Sequence, residues 1–120
     1  MEDDRLKNKN FIDACKKAFS GIWYAIRTQR NVKIQLIIAI IIICICIFLK
    51  LSKVDCIFLT FATMLVIITE VINTAIEKTV DLCTKEYHPI AKTAKDVAAG
   101  AVVLSALNAI IVAVLIIFMK

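Results

Sequence analysis

The sequence predicts an all-α integral membrane fold, an N-terminal amphipathic surface helix followed by three transmembrane helices. Three observations carry this. Hydrophobic residues make up 61% of the 120, where a soluble domain holds about 45–50%. Three long apolar stretches run almost free of charge. Only two glycines and one proline interrupt the chain, and lipid leaves free backbone N–H and C=O groups without partners, so such stretches cross as helices. The length suits a single domain, 1–120.

Residues 1–10 (MEDDRLKNKN) are charged, lack aliphatic periodicity and are expected to form a disordered tail. No secretory signal is expected before the first apolar run, because the charged region is long and no small-residue cleavage site follows. Residues 11–31 read as an amphipathic surface helix. Phe11, Ile12, Ala14, Cys15, Ala18, Phe19, Ile22, Trp23 and Ile26 recur at three- and four-residue spacing. Lys16, Lys17, Gln29 and Arg30 supply polar positions, and Trp23 and Tyr24 suit the headgroup level.

The first span is expected over 32–49. Its strictly apolar part, Leu36–Leu49, is 14 residues long, so Lys33 and Gln35 belong at its cytoplasmic end. A short turn, Lys50–Asp55, leads into the second span, 54–76. Residues 77–96 form a charged cytoplasmic segment broken at His88-Pro89, since proline disfavours helix in the residue before it. The third span, 97–119, is uncharged and long enough for a hydrocarbon layer of about 30 Å. It opens on Ala98-Ala99-Gly100-Ala101, small residues that let helices approach closely in lipid.

The net charge of +5 invites a nucleic-acid partner, but its distribution argues for none. Of 15 Lys and Arg, eight lie at or before Lys33 and four between Lys78 and Lys95. The positive-inside rule then sets the N-terminus in the cytoplasm and the C-terminus outside. Five cysteines, Cys15, Cys44, Cys46, Cys56 and Cys83, form no CxxC pair and are mostly within predicted membrane, which reads as apolar filler rather than a disulfide framework. With one histidine and no ligand cluster, zinc is not expected.

Candidate chemistry concentrates at the end of the second span. At about 100° per residue, Glu70, Glu77 and Asp81 fall within roughly 40° of one another, with Asn73 about 60° to one side. Cys56 to Thr69 carries no charge, so Glu70 lies where the membrane should still exclude water, and an ionisable residue there marks a functional site by default. The deeper carboxylate suits a general base. The shallower Glu77, with Asp81, suits a hard cation such as Mg²⁺, which takes one or two carboxylates together with substrate phosphates. Lys95-Asp96 offers a cation for phosphate beside an acceptor. Taken singly, Glu77, Asp81 and Lys95 read as solvated surface charges, and His88 as a turn residue. There is no GxGxxG and no Walker motif, and on pattern alone a proton or ion pathway rivals phosphoryl transfer.

The blocks Glu70-x-x-Asn73-Thr-Ala-Ile-Glu77-x-x-Val80-Asp81 and Glu86-Tyr87-His88-x-x-Ala91-Lys92-x-Ala94-Lys95-Asp96 closely resemble the prokaryotic diacylglycerol kinase family. The continuation Val97-Ala-Ala-Gly-Ala-Val102 resembles its Gram-positive branch, the undecaprenol kinases. The likeness runs from Phe11 to the last span. It implies a homotrimeric bundle in a bacterial plasma membrane that phosphorylates a lipid alcohol from ATP with Mg²⁺, at active sites formed where subunits meet. By that resemblance Glu70 is the catalytic base and contacts the lipid, together with Ala14 and Trp23. Glu77 holds Mg²⁺. Lys17, Asn73, Glu77, Glu86, Tyr87, His88, Lys95 and Asp96 serve the nucleotide. Gln29 stands where the family normally has a second metal-binding glutamate, Lys17 where a tyrosine is usual, and Asn10 where some members have arginine. Glutamine keeps an oxygen but loses the charge, so weakened Mg²⁺ binding or a rearranged metal shell is expected. The leading expectation is an undecaprenol kinase. The alternatives are a diacylglycerol kinase making phosphatidate, a member silenced at Gln29, and a small ion conductor using Glu70.

Overall fold

The computed structural model describes the backbone of residues 4–119 and the side chains of 10–119. Four α-helices occupy the described chain, α1 (Asp4–Thr28), α2 (Arg30–Phe48), α3 (Lys53–Cys83) and α4 (Pro89–Phe118). The last three are long and apolar enough to cross a membrane. Helical backbone thus begins at Asp4, within the stretch expected to be a disordered tail, because neither Pro nor Gly interrupts the hydrogen-bond ladder there. Met1–Asp3 lie outside the described residues.

The junctions are built from local chemistry. α1 ends and α2 begins at Gln29, two residues before the expected boundary. Its extended backbone (φ −103°, ψ 115°) caps α2 without a side-chain bond. Between α2 and α3 the chain reverses through a Schellman motif: Lys50 N–H donates to the Ile47 carbonyl (3.3 Å) and Leu51 N–H to the Cys46 carbonyl (3.2 Å). Lys50 takes the left-handed conformation this requires (φ 51°), and Ser52 then caps α3 by accepting from Asp55 N–H at 3.2 Å.

At the other end of α3, nothing in 77–83 breaks the helix, so it continues to Cys83 beyond the expected span. The expected interruption at His88-Pro89 proves to be the start of α4. Pro89 occupies its first turn, where a missing N–H costs nothing, and His88 Nδ1 accepts from Ile90 N–H at 3.2 Å.

α3 and α4 form the main antiparallel pair, α2 packs along α3, and α1 touches both α2 and α3. The molecule measures 55 × 45 × 24 Å. Few apolar side chains are buried within it: Ala25, Val32, Leu59, Ala62, Ala98 and Ile116 among the described residues. In water that would leave a marginal core. Hydrocarbon is as apolar as leucine, so spans gain little by hiding such groups from it and hold together by close packing and polar contacts.

Candidate functional site

Helix length sorts the polar groups of α3 by depth. Its 31 residues extend about 46 Å at the α-helical rise, while about 20 residues cross the hydrocarbon layer. Counting from Val54, Glu70 falls inside the layer and Asn73 at its edge. Glu77 and Asp81 stand beyond.

Glu70 is 4% exposed. Its Oε1 accepts from Asn31 Nδ2 on α2 at 3.1 Å, and its backbone carbonyl accepts from Thr74 Oγ1 at 3.0 Å. One turn on, Asn73 is 8% exposed, and its Nδ2 donates to Glu77 Oε1 at 3.2 Å. The other amide atom, Asn73 Oδ1, is buried and meets no hydrogen-bond donor among the described residues. A buried acceptor left without a partner costs free energy, and here it sits beside a carboxylate. Both are the hard oxygen donors that Mg²⁺ prefers. Among the described residues no three His, Cys, Asp or Glu side chains gather as a cage. The pair therefore fits an ion completed by phosphates and water rather than one enclosed by protein. Gln29 is half-buried at the α1–α2 elbow.

A second polar region lies past the membrane end of α3. A cleft of about 300 Å³ is bordered by Asp81 on α3, the Glu86-Tyr87-His88 connection, and Lys95 and Asp96 on α4. Lys95 Nζ donates to Asp81 Oδ1 at 2.6 Å, joining the two helices. Asp96 is held by Lys92, one turn away, at 2.5 Å. The hydrogen bond from Lys95 holds the Asp81 carboxyl below its ordinary value. Tyr87 is 80% exposed. His88, through Nδ1, is committed to capping α4, which leaves its Nε2 edge free of that task.

The structure thus brings Asn73 and Glu77 together, and collects Glu86, Tyr87, His88, Lys95 and Asp96 around one cleft. It does not bring Lys17, Ala14 or Trp23 to that cleft. All three stand exposed on α1. Sequence reading missed two contacts. Asn31 on Glu70 is one. The other is Lys78, whose Nζ lies 5.9 Å from the Tyr24 ring centroid and ties α1 to α3. An amide at the mouth of an apolar run was the available signal for Asn31. Nothing in the spacing tells which helix it would face.

Residues 16–117 match the family model for prokaryotic diacylglycerol kinase. The chain belongs to the prokaryotic diacylglycerol kinase family. It is 38% identical to an undecaprenol kinase of Bacillus subtilis, over 99% of this chain and 97% of that one. It is 40% identical to a diacylglycerol kinase of Synechocystis over 86% of this chain, which spans 59% of that protein's length. A diacylglycerol kinase of Escherichia coli is 28% identical over 79% of this chain and 75% of its own. The part matched to the kinase family holds both polar regions described above and begins after Ala14.

Proposed function

We propose that this chain, a lipid kinase by family, phosphorylates undecaprenol from ATP with Mg²⁺ at the cytoplasmic face of a bacterial plasma membrane. The carrying observation is one face of α3 on which Glu70 and Asn73 are buried and Glu77 is half-buried; counted along the helix from Val54, the three run from the hydrocarbon toward the headgroup level. Only such a gradient lets a membrane-embedded hydroxyl and a soluble nucleotide meet on one helix. The Glu70 carboxylate takes the proton of the lipid hydroxyl. The freed oxygen attacks the γ-phosphorus, the bond to the β–γ bridging oxygen breaks, and ADP departs. Glu77 and Asn73 Oδ1 would hold the cation, which would supply neutralisation of charge on the phosphates. Lys95 leaves Asp81 to meet phosphate, and Asp96, Glu86, Tyr87 and His88 border the nucleotide.

α1 acts as the amphipathic surface helix. Phe11, Phe19 and Trp23 are 71%, 72% and 61% exposed, an apolar display suited to the interface. Ala14 and Trp23 approach the lipid from it, and Lys17 the phosphates. The chain works as a homotrimer, N-terminus inside and C-terminus outside. A Cβ placed on Gly100 would meet no atom of the described residues within 4 Å, so space for a neighbouring helix lies beside the small residues of α4. Completion of the site by a neighbour's α1 explains why Lys17, Ala14 and Trp23 stand away from the cleft.

The full-length likeness to the Bacillus undecaprenol kinase supports the prenol substrate. The Synechocystis diacylglycerol kinase, at 40% identity, favours diacylglycerol as the second reading. Mg²⁺-dependent transfer from labelled ATP in mixed micelles, with each lipid offered separately, tests both. Transfer to undecaprenol should predominate, and Glu70→Ala should lower kcat by about 10²–10⁴-fold, as loss of a general base does. Gln29→Glu should lower the Mg²⁺ concentration needed. An unchanged Mg²⁺ dependence would remove Gln29 from the metal shell, and full activity in Glu70→Ala would remove the base.

A further inference from the structure

Glu70 occupies an unusual place for a carboxylate, buried within the apolar part of α3, and it needs a donor to remain there. Among the described residues, the side chain that donates to its carboxylate is Asn31, 39 positions away and on another helix. The neighbouring hydroxyl, Thr74 Oγ1, bonds to the Glu70 backbone carbonyl and leaves the carboxylate alone. Asn31 itself is exposed beside the α1–α2 elbow, so little of the packing depends on it. The buried contact next to it is Val32, 1% exposed, which secures that end of α2 independently.

From this geometry we propose that Asn31 is the positioning residue of the kinase reaction, holding Glu70 Oε1 so that Oε2 faces the lipid hydroxyl. The proposal rests on the reading of Glu70 as the base. A glutamate has three side-chain torsions, and on a single helix its carboxylate sweeps a wide arc. Pinning one oxygen from a second helix removes that freedom. A neutral amide does so without the charge of a lysine or arginine, which would draw the carboxylate into an ion pair. It donates to one oxygen and leaves the other with its lone pairs available. Misplacement of a reacting group by about 1 Å costs on the order of 10²-fold in rate, so the anchor matters to turnover and little to nucleotide binding.

The test measures kcat and KM for MgATP at saturating lipid, with thermal melting in the same detergent, for Asn31→Leu, Asn31→Asp and Asn31→Gln beside Glu70→Ala. Asn31→Leu removes the donor, Asn31→Asp replaces it with a charged acceptor of the same size, and Asn31→Gln keeps it on a longer arm. The expected result is a fall in kcat of about 10- to 100-fold for Leu and Asp, KM for MgATP within about twofold, an unchanged melt, and partial recovery in Gln. A kcat in Asn31→Leu close to the parent, with Glu70→Ala inactive, would overturn the positioning role and leave Glu70 as base. Full activity in Glu70→Ala would remove the base and the proposal with it. Parallel losses of kcat, KM and melting temperature across all three Asn31 variants would make Asn31 structural and also overturn the proposal.

Discussion

The two polar regions that meet along α3 lie about one helical turn apart, from Glu77 to Asp81, and are built on opposite principles. Around Glu70, Asn73 and Glu77 the side chains are buried or half-buried, held by neutral amide donors. Around Asp81, Lys95, Lys92 and Asp96 they are exposed, held by ion pairs that water and salt can loosen. The first arrangement is pre-organised, so a reacting group would meet it without further reorganisation. The second would yield to a more highly charged ligand. A kinase that joins a membrane alcohol to a soluble nucleotide needs both. The chemistry wants a fixed base in a dry place, and the nucleotide wants a cleft it can enter and leave.

That contrast predicts unequal mutational effects. After loss of the proposed base, Glu70, the largest expected effect is at Glu77. Glu77→Gln keeps the shape and the bond from Asn73 Nδ2 but removes the charge facing the proposed cation. It should lower kcat/KM by about 10²–10³-fold, as loss of a transition-state charge stabiliser does, and raise the Mg²⁺ concentration required. A titration of activity against Mg²⁺ checks it, and an unchanged Mg²⁺ curve would place the metal elsewhere. Lys95→Met comes next. A hydrogen bond to a charged group contributes about 1.5–3 kcal/mol when well sheltered and less when exposed. KM for MgATP should therefore rise by about tenfold with kcat nearly unchanged. Asp81→Asn removes the same ion pair from its other side. If Lys95 serves phosphate, KM rises in Lys95→Met and not in Asp81→Asn. Equal effects would mean that the pair only joins α3 to α4.

The two regions also differed in how far they could be read from sequence. The α3 face was legible because helical periodicity alone aligns Glu70, Glu77 and Asp81, and the uncharged run before Glu70 gives its depth. Three long apolar helices followed from composition. The bond from Asn31 to Glu70 was not legible, since it depends on how α2 registers against α3, and spacing within one helix carries no such information. The Lys92–Asp96 pair lies at i,i+4, but it becomes readable only once 89–96, within the charged segment 77–96, is recognised as the first two turns of α4. The elbow at Gln29 escaped for a related reason. Glutamine is a fair helix former, and only the packing of two helices in different directions makes it a cap. Glu77 with Asp81 for a hard cation and Lys95-Asp96 for phosphate were legible from residue chemistry, whereas the roles of Gln29, Lys17, Asn73 and Glu86-Tyr87-His88 came from family resemblance. The structure adds the orphaned Asn73 oxygen, which periodicity could not have shown.

The smallest expected effect is also the cleanest probe of the exposed region. Lys95 holds the Asp81 carboxyl below its ordinary value. The folded-state pKa is therefore lower than the unfolded one. Stability from this group is fully present above the unfolded value and is lost as pH falls through the folded one. Asp81→Asn should thus melt slightly below the parent near neutrality. The gap should close as pH drops through the acid range in which Asp81 takes up its proton. It should also shrink with added salt, because both partners are largely exposed (41% and 56%). Melting curves of the two proteins in one detergent, across that pH range at low and high salt, measure this directly. A gap constant in pH and salt would assign Asp81 to packing between α3 and α4. The exposed region would then be as rigid as the buried one, and the division between a fixed reaction centre and a yielding nucleotide cleft would fail.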